Sequence, residues 1–458
     1  MRFGRTQHIH FVGIGGIGMS GIAELLLNLG YRVTGSDIKR SSVTSHIEEL
    51  GGKIFIGHDD LNIEGADVVV YSSAISLKNC ELLAAQKKFI PVIPRAEMLS
   101  ELMRLKYGVA IAGAHGKTTT TSMVASILTK GKLDPTVVIG GRLDIWGGAN
   151  SKLGQGQILL AEADESDGSF LALSPTISVV TNIDREHLNY YKTMDKLRDT
   201  FSQFMNKVPF YGAIIACLDD EEIQRLLPSV KKRCVTYGLS SQADLSGRDI
   251  EKNGMSVSFE AIFLGNSMGR VTVGMPGKHN VRNALASIGV AMEFNIGIDI
   301  IREGLKSLGG LGRRFQVKGE RNGVTVIDDY GHHPTEIITV LTTIRENWPD
   351  RRLIVVFQPH RYSRTYDLFD KFVLSFNNAD IVFITPIYEA GESPIEGVSS
   401  EALARGIHKH GHRDVRAYGK DEDILSKVLE TVLPGDILLT LGAGDIFKIG
   451  EDFLNHRK

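Results

Sequence analysis

Residues 110–123 read AIAGAHGKTTTTSM. The apolar run YGVAIAG (107–113) predicts a strand. TTTTSMVASILTKG, which follows Lys117, predicts a helix with Met123, Ile127 and Leu128 on one face. Gly113, Ala114, His115 and Gly116 form the turn between them. In that arrangement successive backbone N–H groups and the positive end of the helix dipole converge on an anion. Lys117 adds a full charge at the β- and γ-phosphates of a nucleoside triphosphate, and the Thr118 hydroxyl suits magnesium. The longer pattern G-x-x-x-x-G-K-[ST] wants glycine where this chain has Ile111, so the loop is a shortened one. A plain glycine turn with a surface lysine would not call for all these features at once.

Working outward, the same strand-to-helix rhythm recurs along the chain. HIHFVGIG, YRVTGSD, ADVVVYSSAI and FIPVIPR read as strands of a first block, with GMSGIAELLLNLG as a helix closed by Gly30. GQILLAEAD, PTISVVTNID and YGAIIACLDD continue the second block, and SVSFEAIF…GRVTVGM reads as an added edge hairpin. VTVIDDY, RRLIVVFQP, ADIVFITPI and DILLTLGAG form the third. Strands alternating with amphipathic helices imply doubly wound parallel sheets. The expectation is a three-domain α/β protein: residues 1–106 Rossmann-like, 107–312 a P-loop-type ATPase domain, and 313–458 a second Rossmann-like domain.

Composition fits that reading. The 458 residues are 42% hydrophobic and 23% charged, as in a soluble globular protein. A net charge of −2 provides no global basic field, which argues against bulk nucleic-acid binding. Cys80, Cys217 and Cys234 have neither metal-type spacing nor even pairing and read as reduced thiols. No apolar run approaches the roughly 20 residues of a membrane span. A cytoplasmic location is expected, without membrane or nucleic-acid partners.

Other stretches place chemistry at strand ends. LLAEADESDGS delivers Glu162, Asp164, Glu165 and Asp167, and SVVTNIDREHLNYY delivers Asn182, Asp184 and His187. Carboxylates and an imidazole at neighbouring strand ends suit a magnesium–nucleotide site. In the first block Gly13, Gly15 and Gly18 form G-x-G-x-x-G, and Asp37 ends the next strand. That pattern fits a dinucleotide and equally the diphosphate of a UDP-sugar; Ser72, Ser73 and Arg95 lie at later strand ends. GKHNVRNALAS sets His279, Asn280 and Asn283 at a helix start, LGRRFQ carries Arg314, and VIDDYGHHPTEI ends a strand in Asp328 and Asp329.

In chain order, GIGGIGMSGIA, YSSAI, AGAHGKTTTT, EADESD, TNIDREH, G-K-H-N-x-x-N, GRRFQ and IDDYGHHPTE resemble the Mur ligases over essentially the whole chain. GMSG, DESD and DDYGHHPTE point to the alanine-adding member. The resemblance implies an amide-bond ligase, with ATP and Mg2+, that joins L-alanine to the lactyl carboxylate of UDP-N-acetylmuramate. It implies a monomer or homodimer. To ATP it assigns Gly113, Ala114, His115, Gly116, Lys117, Thr118, Thr119, His279, Asn283, Arg314 and Asp329. To the metal it assigns Thr118, Glu165 and His187, and to the UDP-sugar Gly15, Gly16, Gly18, Met19, Ser20, Asp37, Ser72, Ser73 and Arg95. Lys117, Glu165, His187 and Arg314 become the catalytic set. Tyr330, His333, Arg361 and Arg364 are the candidates for the amino acid, whose carboxylate needs cations. Later-acting relatives use a carbamylated lysine about fifteen residues past the metal histidine. DTFSQF has no lysine there, so no carbamate is expected.

A nicotinamide oxidoreductase would leave the GKT loop and the acidic strand end without a role. A nucleotide switch would need no second diphosphate loop, and GMSG and DDYGHHPTE weigh against a folate polyglutamate synthetase.

Overall fold

The computed structural model describes residues 3–456, apart from Ser73, 144–148, 309–310 and 420–421. It contains three sheets. The first comprises β1 His8–Val12, β2 Arg32–Asp37, β3 Lys53–Ile56, β4 Val68–Tyr71 and β5 Val92–Pro94. Its strands are parallel in the order β3-β2-β1-β4-β5. The order reverses at β1, so the glycine loop after Val12 opens at the switch point where such sheets bind ligands.

The second sheet has ten strands: β6 Tyr107–Ala112, β7 Thr136–Leu143, β8 Ala149–Lys152, β9 Ile158–Glu162, β10 Ile177–Val180, β11 Ala213–Cys217, β12 Cys234–Gly238, β13 Leu245–Asn253, β14 Ser256–Phe263 and β15 Asn266–Val273. Their order is β15-β14-β13-β12-β11-β10-β6-β9-β7-β8. Strand β6 lies between β10 and β9, with Ala112 beside Val180 and Ile111 beside Glu162. This pairing sets the GKT loop between the two chemistry-bearing strand ends.

The third sheet comprises β16 Gln316–Arg321, β17 Val324–Asp329, β18 Leu353–Phe357, β19 Ile381–Ile384, β20 Val415–Ala417 and β21 Ile437–Leu441. Its order is β16-β17-β21-β18-β19-β20, parallel except for β16. Strand β18 explains its stability. Leu353, Val355 and Phe357 pack on one face with Phe372 and Phe376, while Ile354 and Val356 pack on the other with Val428 and Phe453. A strand covered on both faces reads as an unbroken apolar run. Each such side chain contributes about 1.5–3 kcal/mol on burial.

The sequence reading passes over β3, β7, β8, β12, β13, β16 and β20, most of them short or polar strands with no clear periodicity. The chain groups into two compact units, Met1–Arg248 with Glu260–Val271 and Arg282–Ser307, and Asp249–Phe259 with Thr272–Val281 and Leu308–Lys458. Among the described residues no helix is long and apolar enough to cross a membrane.

Candidate active site

The loop after β6 is latched to the end of β10. Ala114 N donates to Asn182 O and His115 N to Asn182 Oδ1, while Thr181 Oγ1 and Asn182 Nδ2 both donate to His115 O. His115 Nε2 lies 3.1 Å from Asp184 Oδ2. Gly113 has φ +135°, and a Cβ there would stand 2.1 Å from Thr181 Oγ1. Gly116, at φ +80°, caps the helix Lys117–Lys130, and a Cβ there would meet Asn283 Oδ1 at 2.7 Å. Glycine is therefore required at both positions by conformation and by space. Asn283 Oδ1 also accepts from Thr120 Oγ1.

Lys117 Nζ donates to both oxygens of Glu165 at 2.8 Å. Burial disfavours its ammonium, but the charges of Glu165, Asp164 and Glu186 outweigh that, and its pKa rises above the ordinary lysine value. Glu165 is 2% exposed, and its backbone carbonyl accepts from the Tyr191 hydroxyl. His187 Nε2 is 3.7 Å from Glu165 Oε1 and 3.8 Å from Glu186 Oε2. His187 holds a left-handed backbone, φ +57°. Glu165, Glu186 and His187 each offer a ligand atom within 4.8 Å of the others. Two carboxylates and an imidazole fit a divalent cation that keeps part of its water shell.

At the third sheet, the ends of β17, β18 and β19 gather aromatic and cationic groups. The Arg313 and Arg314 guanidiniums lie 5.1 and 5.0 Å from the Tyr330 ring centroid. His332 is 5.7 Å from His360, ring to ring, and His360 stacks on Tyr388 at 5.4 Å. Arg364 Nη1 is 3.4 Å from His360 Nδ1. Burial and the neighbouring His332, Arg364 and Arg361 push His360 down to about 3, so this imidazole is neutral near pH 7. Arg361 is exposed with φ +71°, and its N–H donates to Tyr388 O.

In the first sheet Asp37 Oδ2 accepts from Gly15 N at 2.8 Å, bracing the glycine loop. A Cβ at Gly18 would stand 2.1 Å from Arg95 Nη1, and Arg95 Nη2 reaches Asp164 Oδ2 at 3.4 Å.

Family models match in three consecutive parts: "Mur ligase family, catalytic domain" over residues 8–107, "Mur ligase middle domain" over 111–291, and "Mur ligase, glutamate ligase domain" over 313–444. The chain belongs to the Mur ligase family. It is similar to UDP-N-acetylmuramate–L-alanine ligase of Geobacter sulfurreducens, 59% identical over 99% of this chain and 98% of that one. The crystal structure of UDP-N-acetylmuramate–alanine ligase from Thermotoga maritima has a TM-score of 0.80 and 28% identity over 98% of this chain and 99% of its own. A murein peptide ligase from Psychrobacter arcticus has the same fold, with a TM-score of 0.69 and 24% identity over 98% of each chain.

Several residues carried over from the Mur ligase resemblance take unexpected places. Met19 is 1% exposed and belongs to the core, and Ser20 is buried as well. Their N–H groups bond to Gly16 O in the first helical turn. Asp329 is buried, and its carboxylate accepts from Phe315 N and Gly331 N at 2.7 Å. Burial pushes it up to about 6 against the pull of Arg314 and those N–H groups. Such a group shapes the Arg314 loop from beneath. His333 is fully buried and caps the helix Pro334–Asn347, Nδ1 accepting from Thr335 N. Its neighbour His332 is the one turned toward His360. Gly16 is exposed at the start of the helix Ile17–Asn28, Ser72 half-buried, His279 half-buried, Thr118 half-buried and Thr119 buried. Ser73 lies outside the described residues.

Sequence reasoning missed Glu186, His332, His360 and Tyr388. Glu186 follows Asp184 in an already suspect stretch and was within reach. The other three converge only through β17, β18 and β19.

Proposed function

We propose that this Mur ligase joins L-alanine to the lactyl carboxylate of UDP-N-acetylmuramate, with ATP cleaved to ADP and phosphate, in peptidoglycan synthesis. The observation that carries the ATP half is the Lys117–Glu165–His187 cluster at the mouth of a glycine loop. The choice of substrates rests on the names of relatives that match over the whole chain.

The chemistry follows from charge. A carboxylate is a poor electrophile, so its oxygen first attacks the γ-phosphorus and ADP leaves. The amine of L-alanine then attacks the acyl carbon, an amide forms, and orthophosphate departs with one lactyl oxygen. Both partners of the first step are anions, and their approach needs concentrated positive charge. Lys117 and the amides at the start of the helix Lys117–Lys130 provide it, and Arg314, held over Tyr330, is the further cation we assign to ATP. Thr118, Glu165, Glu186 and His187 would hold magnesium, which when bound supplies charge to the phosphate oxygens. His279 and Asn283 take the adenine side, and Asp329 shapes the Arg314 loop.

For the amino acid, Arg361 and Arg364 serve the carboxylate, with Tyr330 and His332 beside them. Neutral His360 accepts from Arg364 without adding charge of its own. The amine of free L-alanine is protonated at pH 7 and must lose a proton before it attacks. On the first sheet, Gly15, Gly16, Gly18, Asp37, Ser72 and Arg95 take the UDP-sugar. The three sheets serve as three domains with boundaries near 106 and 312, in a cytoplasmic monomer or homodimer.

The test is phosphate release with ATP, UDP-N-acetylmuramate and each amino acid in turn, using substrate labelled with heavy oxygen in the lactyl carboxylate. Turnover is expected with L-alanine, and one label should appear in orthophosphate. Unlabelled orthophosphate would rule out the acyl phosphate.

A further inference from the structure

The first sheet encloses a polar cluster that this chemistry does not use. Glu81, in the first turn of the helix Cys80–Lys87, is fully buried. Four donors meet its two oxygens. Ser36 Oγ at 2.5 Å and His58 Nδ1 at 3.3 Å address Oε2, and Asn62 Nδ2 at 2.6 Å and Asp59 N at 3.4 Å address Oε1. His10 Nε2 faces Oε2 from 3.8 Å. The chain continues from His10 Nδ1 to Thr34 Oγ1, then to His8 Nε2, and from His8 Nδ1 to Gly65 O. Burial by itself would raise the Glu81 pKa, but the His10 imidazole facing it and the hydrogen bonds from Ser36 and Asn62 outweigh that and hold the carboxyl at about 2. A buried charge is tolerated only when its lone pairs are filled in this way.

What Glu81 grips lies at the ligand end of the sheet. Ser36 O accepts from Gly13 N at 2.9 Å and Ile14 N at 3.1 Å. Ser36 directly precedes Asp37, whose side chain takes Gly15 N and whose carbonyl takes Gly57 N at 2.8 Å. Gly57 leads into His58, Asp59 and Asn62. Counting protons also fixes the His58 ring. The single Ser36 hydroxyl proton goes to Glu81, so the 3.0 Å contact between Ser36 Oγ and His58 Nδ1 needs its proton on Nδ1. In the neutral ring Nε2 is then the bare acceptor.

We propose that Glu81 is a positioning residue of the nucleotide-sugar site. Without touching the ligand, it locks the end of β2, the glycine loop and the 57–62 loop into one arrangement and sets the His58 tautomer. This rests on the reading of the first sheet as the UDP-sugar module. Outer-shell partners that orient metal ligands are typically worth about 10–100-fold in affinity, and a positioning carboxylate here should act on the same scale.

The experiment measures UDP-N-acetylmuramate binding to the whole chain by calorimetry, alongside kcat and KM for all three substrates. Glu81→Gln keeps the volume but replaces one doubly used acceptor with a donor. Its Kd and KM for the UDP-sugar should rise about tenfold or more, with kcat and the KM values for ATP and L-alanine within about twofold. Glu81→Asp should fall between. Ser36→Ala should reproduce part of the loss, and the double variant should be no worse than Glu81→Gln alone. An unchanged Kd in folded Glu81→Gln, or an equal loss in every parameter, would overturn the assignment. A wild-type chain that fails to bind UDP-N-acetylmuramate would instead bring down the functional reading, and this assignment with it.

Discussion

Lys117→Met would remove the cation that sits 2.8 Å from both oxygens of Glu165. Opposite unit charges at that separation attract by about 6 kcal/mol at an effective dielectric of about 20. Desolvation of the pair takes back much of this, leaving about 2 kcal/mol. In the nucleotide-free protein that attraction opposes any divalent cation approaching Glu165, because Lys117 already neutralises the carboxylate. The variant should therefore bind Mn2+ without nucleotide about 30-fold more tightly than wild type, read by electron paramagnetic resonance titration of free Mn2+. Turnover should move the opposite way. A missing positive donor at a transferring phosphoryl group costs about a thousandfold in kcat. Tighter metal with slower chemistry is the signature of a lysine that occupies the cation's side of the site until nucleotide arrives. Mn2+ affinity equal to wild type would refute the pairing argument, and wild-type turnover would remove Lys117 from the chemistry.

The adjacent histidines of the third sheet separate by readout. His332→Ala should raise the KM for L-alanine about tenfold with little change in Tm. His333→Ala, which removes a buried cap, should lower stability by about 1 kcal/mol or more with KM unchanged. His360, depressed to about 3, gives a signed pH effect. Between about pH 6.5 and 3 the unfolded chain binds a proton at this residue that the folded one refuses. Stability therefore falls as pH drops through that window, by up to about 1.4 kcal/mol per unit, and His360→Asn should flatten that slope in urea melts from pH 4 to 7.

Most of the proposed nucleotide site was legible because its parts are local. The apolar strand, the glycine turn, GKT and the helix follow one another in sequence, and the residues of β9 and β10 announce themselves as acids and a histidine just past apolar runs. Residues 330–333 were harder. Tyr330, His332 and His333 all follow β17, and composition favours none of them. Met19 likewise sits in a suggestive motif, yet the helix periodicity that carries it inward is the stronger constraint.

Spacing along the chain determined the three parallel α/β blocks, the shortened glycine loop and the strand ends bearing charge, because each depends on neighbours within a few residues. Folding alone decided that Glu165, just past β9, would pair with Lys117, at the start of the helix after β6, and that His332 rather than His333 would meet His360. It also buried Glu81 among Ser36, His58, Asn62 and His10. These groups meet through strand order and register, and side chains brought together across a sheet leave no pattern in the linear order of residues.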